Sequence, residues 1–430
     1  MKRHIEARLH VNGTLIARSA LHVGGIGSDA TAALALATNG DNQLYIPGTS
    51  LAGALREWTR RLFGTNHLVQ ELWGYQPPPG TSRDTGRASH VFVEDALVML
   101  PPGQRVEVRD GVGIDRSTGT AAGRTKYDRA VLPCGTRIPL DMTMELPCGE
   151  NADCFRALIG ELLRALQRKA VQLGAAKTRG LGLVELIEVR IREYSLITPA
   201  GILAALQDSG TVLTPEEIPP YRGERTPSRR VHAEIHWQPR GPLMVRAARG
   251  GMTVDMLPLV SATGDGGTIS PVLPGSSIKG ALRSQAERIV CTVLNLRDGG
   301  DHLQQRAVPV VPWLFGSPGQ RDDKPDADDT CLKEGLGALT VQDCFPDEVA
   351  FTHTQWQRVV TAETGRELYA GLKDAGMPDA QRAFHVAIDR WTGGTADGAL
   401  YTVLEPHGVA WQPMHLMVDF RRIPPAEQFV

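Results

Sequence analysis

The pattern of apolar and polar positions in the first half of the chain predicts a short series of strands and helices. The stretch ARLHVNGTLIARS, which begins at Ala7, alternates apolar and polar residues and is predicted to form an edge or half-buried strand. A helix is predicted next, behind the caps Thr49 and Ser50. Its apolar residues recur at helical spacing: Leu51, Ala54, Leu55, Trp58 and Leu62.

Later segments complete the same unit. Strands are predicted at residues 91–95 and 137–146, a second amphipathic helix from Phe155 to Leu166, and a closing strand at residues 183–191. The order strand, helix, strand, strand, helix, strand is typical of the ferredoxin-like, RRM-like unit. The sequence therefore predicts an α+β fold.

The chain contains two copies of this unit. YIPGTSLAGALR, which ends at Arg56, is matched by PVLPGSSIKGALR, which ends at Arg283. Three further pairs of blocks keep the same order: ARLHVNG with AEIHWQP, VFVED with LTVQD, and IDRSTG with IDRWTG. A repeat of this length indicates two homologous domains rather than a solenoid. We predict one domain at residues 1–196, a Pro-rich charged linker at 197–230 and a second domain at 231–430.

The second copy departs from the first at two places. It carries additional residues at about 292–335, including the acidic loop SPGQRDDKPDADDTC, which is predicted to be a surface insertion. The first copy ends in a helix, the loop GAAKTRGLG and a strand, for which the second copy shows no counterpart. The second unit is therefore predicted to lack its C-terminal helix and glycine loop within these 430 residues, either because it borrows these elements from elsewhere or because the sequence is truncated at Val430.

Composition narrows the class of protein. The chain has 430 residues, of which 42% are hydrophobic and 22% charged, as in ordinary globular proteins. We expect a cytoplasmic protein with no membrane contact, because no apolar run is long enough to span a bilayer and the start MKRHIEARLHVNG is unlike a signal peptide. The formal net charge of −2 means that any RNA groove would be a local basic patch.

The combination of the GG-containing loops, IPGTSLAGALR, two LFG segments, the IDRxTG segments and GAAKTRGLG resembles the RAMP superfamily. More narrowly, it is similar to a tandem pair of backbone subunits of type III CRISPR-Cas effector complexes. The resemblance implies two RAMP domains in a ribonucleoprotein of antiviral defence. It also implies three kinds of partner: guide CRISPR RNA, single-stranded target RNA and other type III subunits.

Three regions are predicted to bind RNA. The helix starts at Gly48 and Gly275 are predicted to offer free N–H groups and a positive helix end to phosphates. The glycine loop places Lys177 and Arg179 beside a backbone nest, and family members use this loop on RNA. The remaining candidates at the helix starts and the loop are Ser50, Arg56, Ser276, Ser277, Lys279, Arg283, Gly180 and Gly182. A plain helix start and a plain turn are the alternatives.

The IDRxTG segments form the third region. Arg116, Arg124 and Lys126 cluster on a predicted hairpin of the first copy, and Arg390 occupies the second. The resemblance implies a thumb-like hairpin that wedges between guide and target and displaces one nucleotide. Trp391 could stack on bases there. A solvated basic hairpin is the alternative.

The resemblance also implies one catalytic aspartate per unit, in the loop before the IPG block. The matching residues are Asp29 in GGIGSDATA and Asp255 in GGMTVDMLPLV. Because an isolated aspartate is a weak general base and a good ligand for hard cations, we predict transient Mg²⁺ or another divalent cation at both residues. The predicted activity is an endoribonuclease that cuts guide-complementary RNA at two regularly spaced sites. Each aspartate could instead be a loop hydrogen-bond acceptor.

Other readings stay open at this point. The chain could be an inactive structural or end-capping subunit of the same complex, a metal-independent nuclease that processes guide RNA through His22, or a ferredoxin-like pair that binds a small metabolite. A structural Zn²⁺ site is also conceivable, although the spacing fits no strong ligand pattern. Its candidate ligands are Cys291, His302, Cys331 and Cys344.

Overall fold

The structure, a computed structural model, describes residues 4–25, 32–77, 86–116, 118–149, 151–264, 266–296, 308–317 and 335–424. In the first unit the elements follow in the order β1 (Ile5–Ala17), β2 (Tyr45–Ile46), α1 (Gly48–Phe63), α2 (His67–Trp73), β3 (Val91–Val93), β4 (Ala96–Leu97), β5 (Glu107–Gly111), β6 (Tyr127–Val131), β7 (Arg137–Pro147), α3 (Asn151–Gln167), β8 (Val184–Ser195), α4 (Pro199–Leu206) and β9 (Thr211–Leu213).

The first unit is built on a five-stranded sheet in the order β3-β7-β1-β8-β9, with β1 antiparallel to both of its neighbours. Of the two alternatives predicted for β1, an edge or a half-buried strand, the structure shows a half-buried central strand, because β7 and β8 flank it on either side. Its alternation reflects one buried face instead: Leu9 and Val11 are fully buried, and Leu9 pairs with the equally buried Met144. Helices α1 and α3 cover this face, so the ferredoxin-like prediction for this unit is confirmed.

The segment that follows β8 belongs physically to the first unit. Strand β9 extends the sheet by pairing with β8. Ile218 is buried in the core of the first unit, and Arg164 of α3 donates to the carbonyl oxygens of Pro215 and Ile218 at 2.6 and 3.0 Å. The chain therefore reaches the second unit along the surface of the first, rather than through a free linker.

The second unit contains β10 (Arg230–Ile235), β11 (Val260–Ala262), β12 (Thr268–Pro271), α5 (Gly275–Val293), α6 (Val311–Phe315), β13 (Leu339–Val341), β14 (Phe351–Thr352), α7 (His353–Val360), α8 (Gly365–Asp374), β15 (Gln381–Ile388), β16 (Thr395–Glu405) and β17 (Met414–Asp419). Its main sheet has the order β10-β17-β13, which repeats the arrangement β1-β7-β3. Most of the predicted insertion at 292–335 lies outside the described residues.

The described residues of the second unit contain no counterpart of α3, the glycine loop or β8, as the sequence predicts. Strand β10 is consequently an edge strand that pairs with β17 alone among the described strands. The next five residues of β10 after Arg230 are all exposed. The described residues of the second unit therefore form half of a ferredoxin-like unit, and among them none covers one side of its sheet.

A helix start is built in the same way in both units. The N-caps are Pro47 and Pro274, and no side chain caps either helix, so the predicted caps Thr49 and Ser50 are wrong. Instead, the Gly48 N–H donates to Oδ1 of Asp95 at 2.7 Å, and the Gly275 N–H donates to Oδ1 of Asp343 at 2.8 Å. The aspartates of VFVED and LTVQD therefore satisfy the first helical N–H in each copy.

Both glycines at these helix starts are required by close packing. A Cβ on Gly48 would lie 2.0 Å from the Val93 carbonyl oxygen, and a Cβ on Gly275 would lie 2.2 Å from that of Val341. The helix can therefore approach the neighbouring strand only where the residue has no side chain. This packing explains why PG is retained in both blocks.

Candidate nucleic-acid interface

The glycine loop of the first unit, residues 174–182, lies against the second unit. Lys177–Arg179 forms a single 3-10 turn within it. Gly180 has a positive φ of 88°, and a Cβ there would lie 2.9 Å from the backbone nitrogen of Asp343. The loop therefore supplies cations to the surface and also forms part of the contact between the units.

A groove lies on one side of this loop, beside several of the predicted RNA-binding residues. We call it the first groove; it has a volume of about 320 Å³, and its lining includes His22, Gly24, Ser50, Gly53, Glu57, Gly174 and Lys177. It thus brings together the start of α1, the LHVGG segment and the glycine loop, which lie far apart in the chain. The sequence-predicted residues Ser50 and Lys177 meet in this groove.

A smaller cavity on the other side of the loop, the second groove, combines both units. Its lining includes Arg129 and Arg179 of the first unit and Ser276 at the start of α5. Arg179 donates to the Tyr127 hydroxyl at 2.6 Å, and the Arg129 guanidinium lies 5.7 Å from the centre of the Tyr127 ring. An aromatic ring between two cations suits a base or a phosphate.

Basic side chains also lie close together where the two units contact each other next to the glycine loop, a region that we call the seam. Arg61, Lys177 and Arg422 line a cavity of about 60 Å³ there. Burial and the neighbouring Arg61 lower the pKa of both Lys177 and Arg422 from their ordinary values. Glu57 is ionised beside them, because hydrogen bonds from Arg60 and Arg61 outweigh burial and lower its pKa to about 2.

Lys279 and Arg283 are not presented for phosphate contact, contrary to the prediction. Lys279 is buried and donates to the Leu339 carbonyl oxygen at 2.7 Å. Burial, followed by the charges of Arg179, Arg422 and Arg283, lowers its pKa to about 7. Arg283 donates to Glu287 at 2.6 Å and to the Gly316 carbonyl oxygen at 2.8 Å. Both side chains therefore act within the second unit and its seam.

The helix starts are also less available than predicted. The N–H groups of Gly48 and Gly275 are not free, because Asp95 and Asp343 accept them. Each carboxylate places a negative charge at the helix end where a phosphate was expected. The hydroxyl-bearing residues Ser50, Ser276 and Ser277 are exposed at these two ends.

The predicted hairpins form, and they differ in their surroundings. In the first unit β5 and β6 pair, and Arg116 from the connecting loop donates to Glu287 of α5 at 2.6 Å, so this arginine holds the hairpin on the second unit. Arg124 and Lys126 are exposed there. In the second unit β15 and β16 form the hairpin, Arg390 is exposed at its tip, and Trp391 is 96% exposed. Arg56 is exposed on α1.

Of the two predicted catalytic aspartates, Asp29 lies outside the described residues. Asp255 is exposed, and its Oδ2 accepts both the backbone N–H of Thr402, at 2.7 Å, and the Thr402 hydroxyl, at 2.8 Å. These hydrogen bonds lower the pKa of the Asp255 carboxyl, so it is ionised at neutral pH. The Thr402 hydroxyl in turn accepts the Asp255 N–H at 3.0 Å.

The pair Asp255 and Thr402 has a counterpart in the first unit that sequence reasoning missed. There the hairpin residue Asp128 accepts the Ala33 N–H at 2.8 Å. In each unit a carboxylate therefore joins the loop before the IPG block to the base of the hairpin. The aspartate belongs to the hairpin in the first unit and to the loop in the second. The alignment of Asp128 with Thr402 in the IDRxTG blocks was the signal available.

His22 and Cys344, two of the residues considered for catalysis or zinc binding, are both buried. His22 is buried, its Nδ1 lies 2.7 Å from the Ala130 carbonyl oxygen, and burial lowers its pKa. Cys344 is buried and donates to the Gln412 carbonyl oxygen at 3.2 Å, and burial raises the pKa of its thiol to about 11. His302 and Cys331 lie outside the described residues, and among the described ones no three acidic, histidine or cysteine side chains cluster as metal ligands.

Comparison with known proteins identifies the family to which the chain belongs. No curated protein matches the chain significantly. Among the described helices, none has the length and apolar content needed to cross a membrane. The family model of the RAMP superfamily matches residues 14–185 and again residues 258–407, which together cover most of the chain and give one match within each unit. The chain therefore belongs to the RAMP superfamily, CRISPR-associated RNA-binding proteins, and contains two RAMP units in tandem.

Proposed function

We propose that this chain is a tandem backbone subunit of a type III CRISPR-Cas effector complex. Its first unit would hold the guide RNA along the first groove, the glycine loop and the second groove. The observation that carries the proposal is the position of Lys177 and Arg179, on one 3-10 turn between two grooves. Phosphates along a strand could meet these cations in succession, while base pairing supplies sequence specificity.

The surplus of positive charge at the loop supports this path. Lys177, Arg61 and Arg422 line one cavity, and the neighbouring carboxylates are already paired: Glu57 with Arg60 and Arg61, and Asp419 with Arg230 and Arg421. Burial and, after it, the charge of Arg61 lower the pKa of Lys177, and a phosphate beside Lys177 would oppose the second of these effects. The chain's near-neutral net charge does not oppose this, because the positive charge is local.

We further propose that target RNA held against the hairpins is cleaved beside Asp255, and beside Asp29 in the first unit. In such cleavage the 2′-oxygen of the displaced nucleotide forms a bond to the adjacent phosphorus while the bond to the 5′-oxygen breaks. The proton leaves the 2′-hydroxyl, and the 5′-oxygen gains one. The products would carry a 2′,3′-cyclic phosphate and a 5′-hydroxyl.

Asp255 suits a cation shared with RNA. The carboxylate is exposed and ionised, and the described contacts engage only its Oδ2. Mg²⁺ is commonly held by one or two carboxylates together with substrate phosphates, so a single aspartate per unit is chemically sufficient. When bound, the cation would stabilise negative charge on the phosphate; the contribution of Asp255 is to hold it near the hairpin base.

Cleavage of guide-complementary RNA by the reconstituted complex tests this function. Asp255→Asn retains an acceptor for Thr402 but loses the charge, whereas Asp255→Ala loses both, and Asp29→Ala tests the first unit. We expect each aspartate change to remove one product boundary in the presence of Mg²⁺ while guide binding persists. Unchanged product boundaries in the double variant would show that neither aspartate cuts.

A non-cleaving structural subunit is the second candidate. It is favoured by the contact between Asp255 and Thr402, which gives the aspartate a role in fixing the hairpin without any chemistry. Under this alternative Asp255→Asn would leave every cleavage product of the complex in place, and Asp255→Ala would change only the stability of the hairpin. The two variants therefore separate the candidates.

A further inference from the structure

One ring nitrogen of His22 has no hydrogen-bond partner among the described residues. The residue is only 5% exposed, and its Nδ1 lies 2.7 Å from the Ala130 carbonyl oxygen. Since a carbonyl oxygen can only accept, Nδ1 carries the proton of this bond. Burial lowers the pKa of the ring, so the imidazole is neutral at pH 7. In this tautomer the other nitrogen, Nε2, is a hydrogen-bond acceptor.

Nε2 lies beside the wall of the first groove. His22 lines this groove together with Gly24, and a Cβ on Gly24 would lie 3.4 Å from Nε2. Because Gly24 has no side chain, it leaves this approach to the nitrogen open. The His22 carbonyl oxygen also accepts the Ala175 N–H of the glycine loop at 2.9 Å. The residue is thus held between the hairpin base and the glycine loop, so the acceptor is preorganised.

The chemistry of a guide strand determines which group can meet this acceptor. Phosphate oxygens only accept hydrogen bonds, and the bases of a guide must stay free to pair with the target. On the sugar–phosphate side of an internal nucleotide, the 2′-hydroxyl is the group that can donate to Nε2. DNA lacks this hydroxyl. Lys177 of the same groove would meet phosphates, which RNA and DNA share.

We propose that His22 determines the sugar specificity of the first groove: its Nε2 accepts the 2′-hydroxyl of one guide nucleotide and so favours RNA over DNA. This inference rests on the function proposed above, because it requires a guide strand in the first groove. Lys177 contributes affinity without reading the sugar. His22 reads the sugar through one neutral hydrogen bond, which contributes little to the total affinity.

The test compares three single strands of one sequence, with 2′-hydroxyl, 2′-fluoro or 2′-deoxy sugars, in filter binding to the full chain. Fluorine favours the sugar pucker of RNA but has no proton to donate. We expect the 2′-fluoro and 2′-deoxy strands to bind the wild-type protein about three- to tenfold more weakly than RNA, as the loss of one neutral hydrogen bond predicts. Equal binding of RNA and the 2′-fluoro strand would overturn the proposal.

Two substitutions of His22 separate the groove acceptor from the bond to Ala130. His22→Asn retains an amide N–H near the position of Nδ1 but has no acceptor at the position of Nε2, so its preference for RNA over the 2′-fluoro strand should disappear. His22→Gln can place an amide oxygen near the position of Nε2 and should keep a preference for RNA. Circular dichroism checks that both variants fold.

Gly24→Ala gives a second route to the same result without changing His22. Its methyl group would lie 3.4 Å from Nε2, in ordinary contact, and should reduce the preference for RNA by hindering access to the nitrogen. A full preference for RNA in both His22→Asn and Gly24→Ala would show that His22 does not read the sugar.

Lys177→Ala distinguishes failure of this inference from failure of the proposed function. We expect it to weaken binding of all three strands by the same factor, because the phosphates are common to them. If Lys177→Ala changes no affinity, the strand does not follow the first groove and the proposed RNA path fails. If Lys177→Ala weakens binding while His22→Asn retains the full preference for RNA, the path stands and the role of His22 is overturned.

Discussion

Arg109 of β5 donates to Oδ2 of Asp343 at 2.6 Å, across the boundary between the two units. The other oxygen of the same carboxylate accepts the Gly275 N–H. The Asp343 side chain therefore caps the start of α5 and also binds Arg109 of the first unit. Arg109 also donates to Ser261 at 2.8 Å and lies 3.6 Å from Glu107. Asp95, the counterpart of Asp343, has the helix-start role and is exposed.

The two aspartates should therefore differ in their effect on stability. Asp95→Ala should cost about 1 kcal/mol, the usual value of a helix cap. Asp343→Ala should cost about 3–5 kcal/mol in addition, because it leaves the buried Arg109 without its closest carboxylate. Calorimetry of both variants is the measurement, and equal losses would contradict the double role of Asp343.

Two Gly→Ala substitutions in α1 should change the stability of the protein in opposite directions. Gly48→Ala should destabilise the protein by about 1–3 kcal/mol, because the new Cβ would collide with the Val93 carbonyl oxygen. Gly53→Ala is the matched control, since the space around Gly53 is open, and it should stabilise the helix by about 0.5–1 kcal/mol. Thermal unfolding of the two variants decides; a destabilised Gly53→Ala would show that the local packing is misassigned.

Lys279 should make stability depend on pH above neutrality. Its pKa is lowered from 10.5 to about 7 in the folded protein, so between these values the unfolded chain binds more protons than the folded one. Stability should therefore rise as the pH increases from about 7 towards 10.5, by an amount on the order of a few kcal/mol. Lys279→Met removes the titrating group and should flatten this rise. A pH profile of the melting temperature that is identical in both proteins would contradict the assignment.

The glycine-loop cations should govern the salt dependence of RNA binding. Lys177→Ala and Arg179→Ala should each weaken binding of single-stranded RNA and reduce the slope of log affinity against log salt by about 1. Lys373→Ala, an exposed cation on α8, should change neither quantity. Filter binding across a salt titration measures both, and equal slopes in all proteins would remove the loop from the RNA path.

Periodicity and the repeated blocks predicted the main elements of the first unit, because helix and strand patterns are local, but they did not predict α2, α4 or β9. They predicted α3 and β8 in the first unit and the absence of both from the described second unit. They did not predict that β1 is central, since its partners β7 and β8 lie far along the chain. The sequence also placed Lys279 at an exposed helix start, because its burial depends on how the units dock. The role of Arg109 could not be predicted from the local sequence, because its partner Asp343 lies 234 positions further along the chain.

The docking of the first hairpin on the second unit has a kinetic and stoichiometric consequence. Arg116 and Glu287 meet within a single polypeptide, so this contact forms by intramolecular closure and its occupancy does not vary with protein concentration. Two separate RAMP subunits joined by such a contact would dissociate on dilution. They could then associate again in a different order. Because the two units are fused covalently, every chain contains this junction once at any protein concentration. Only contacts made by the outer faces of the pair depend on the concentration of partners.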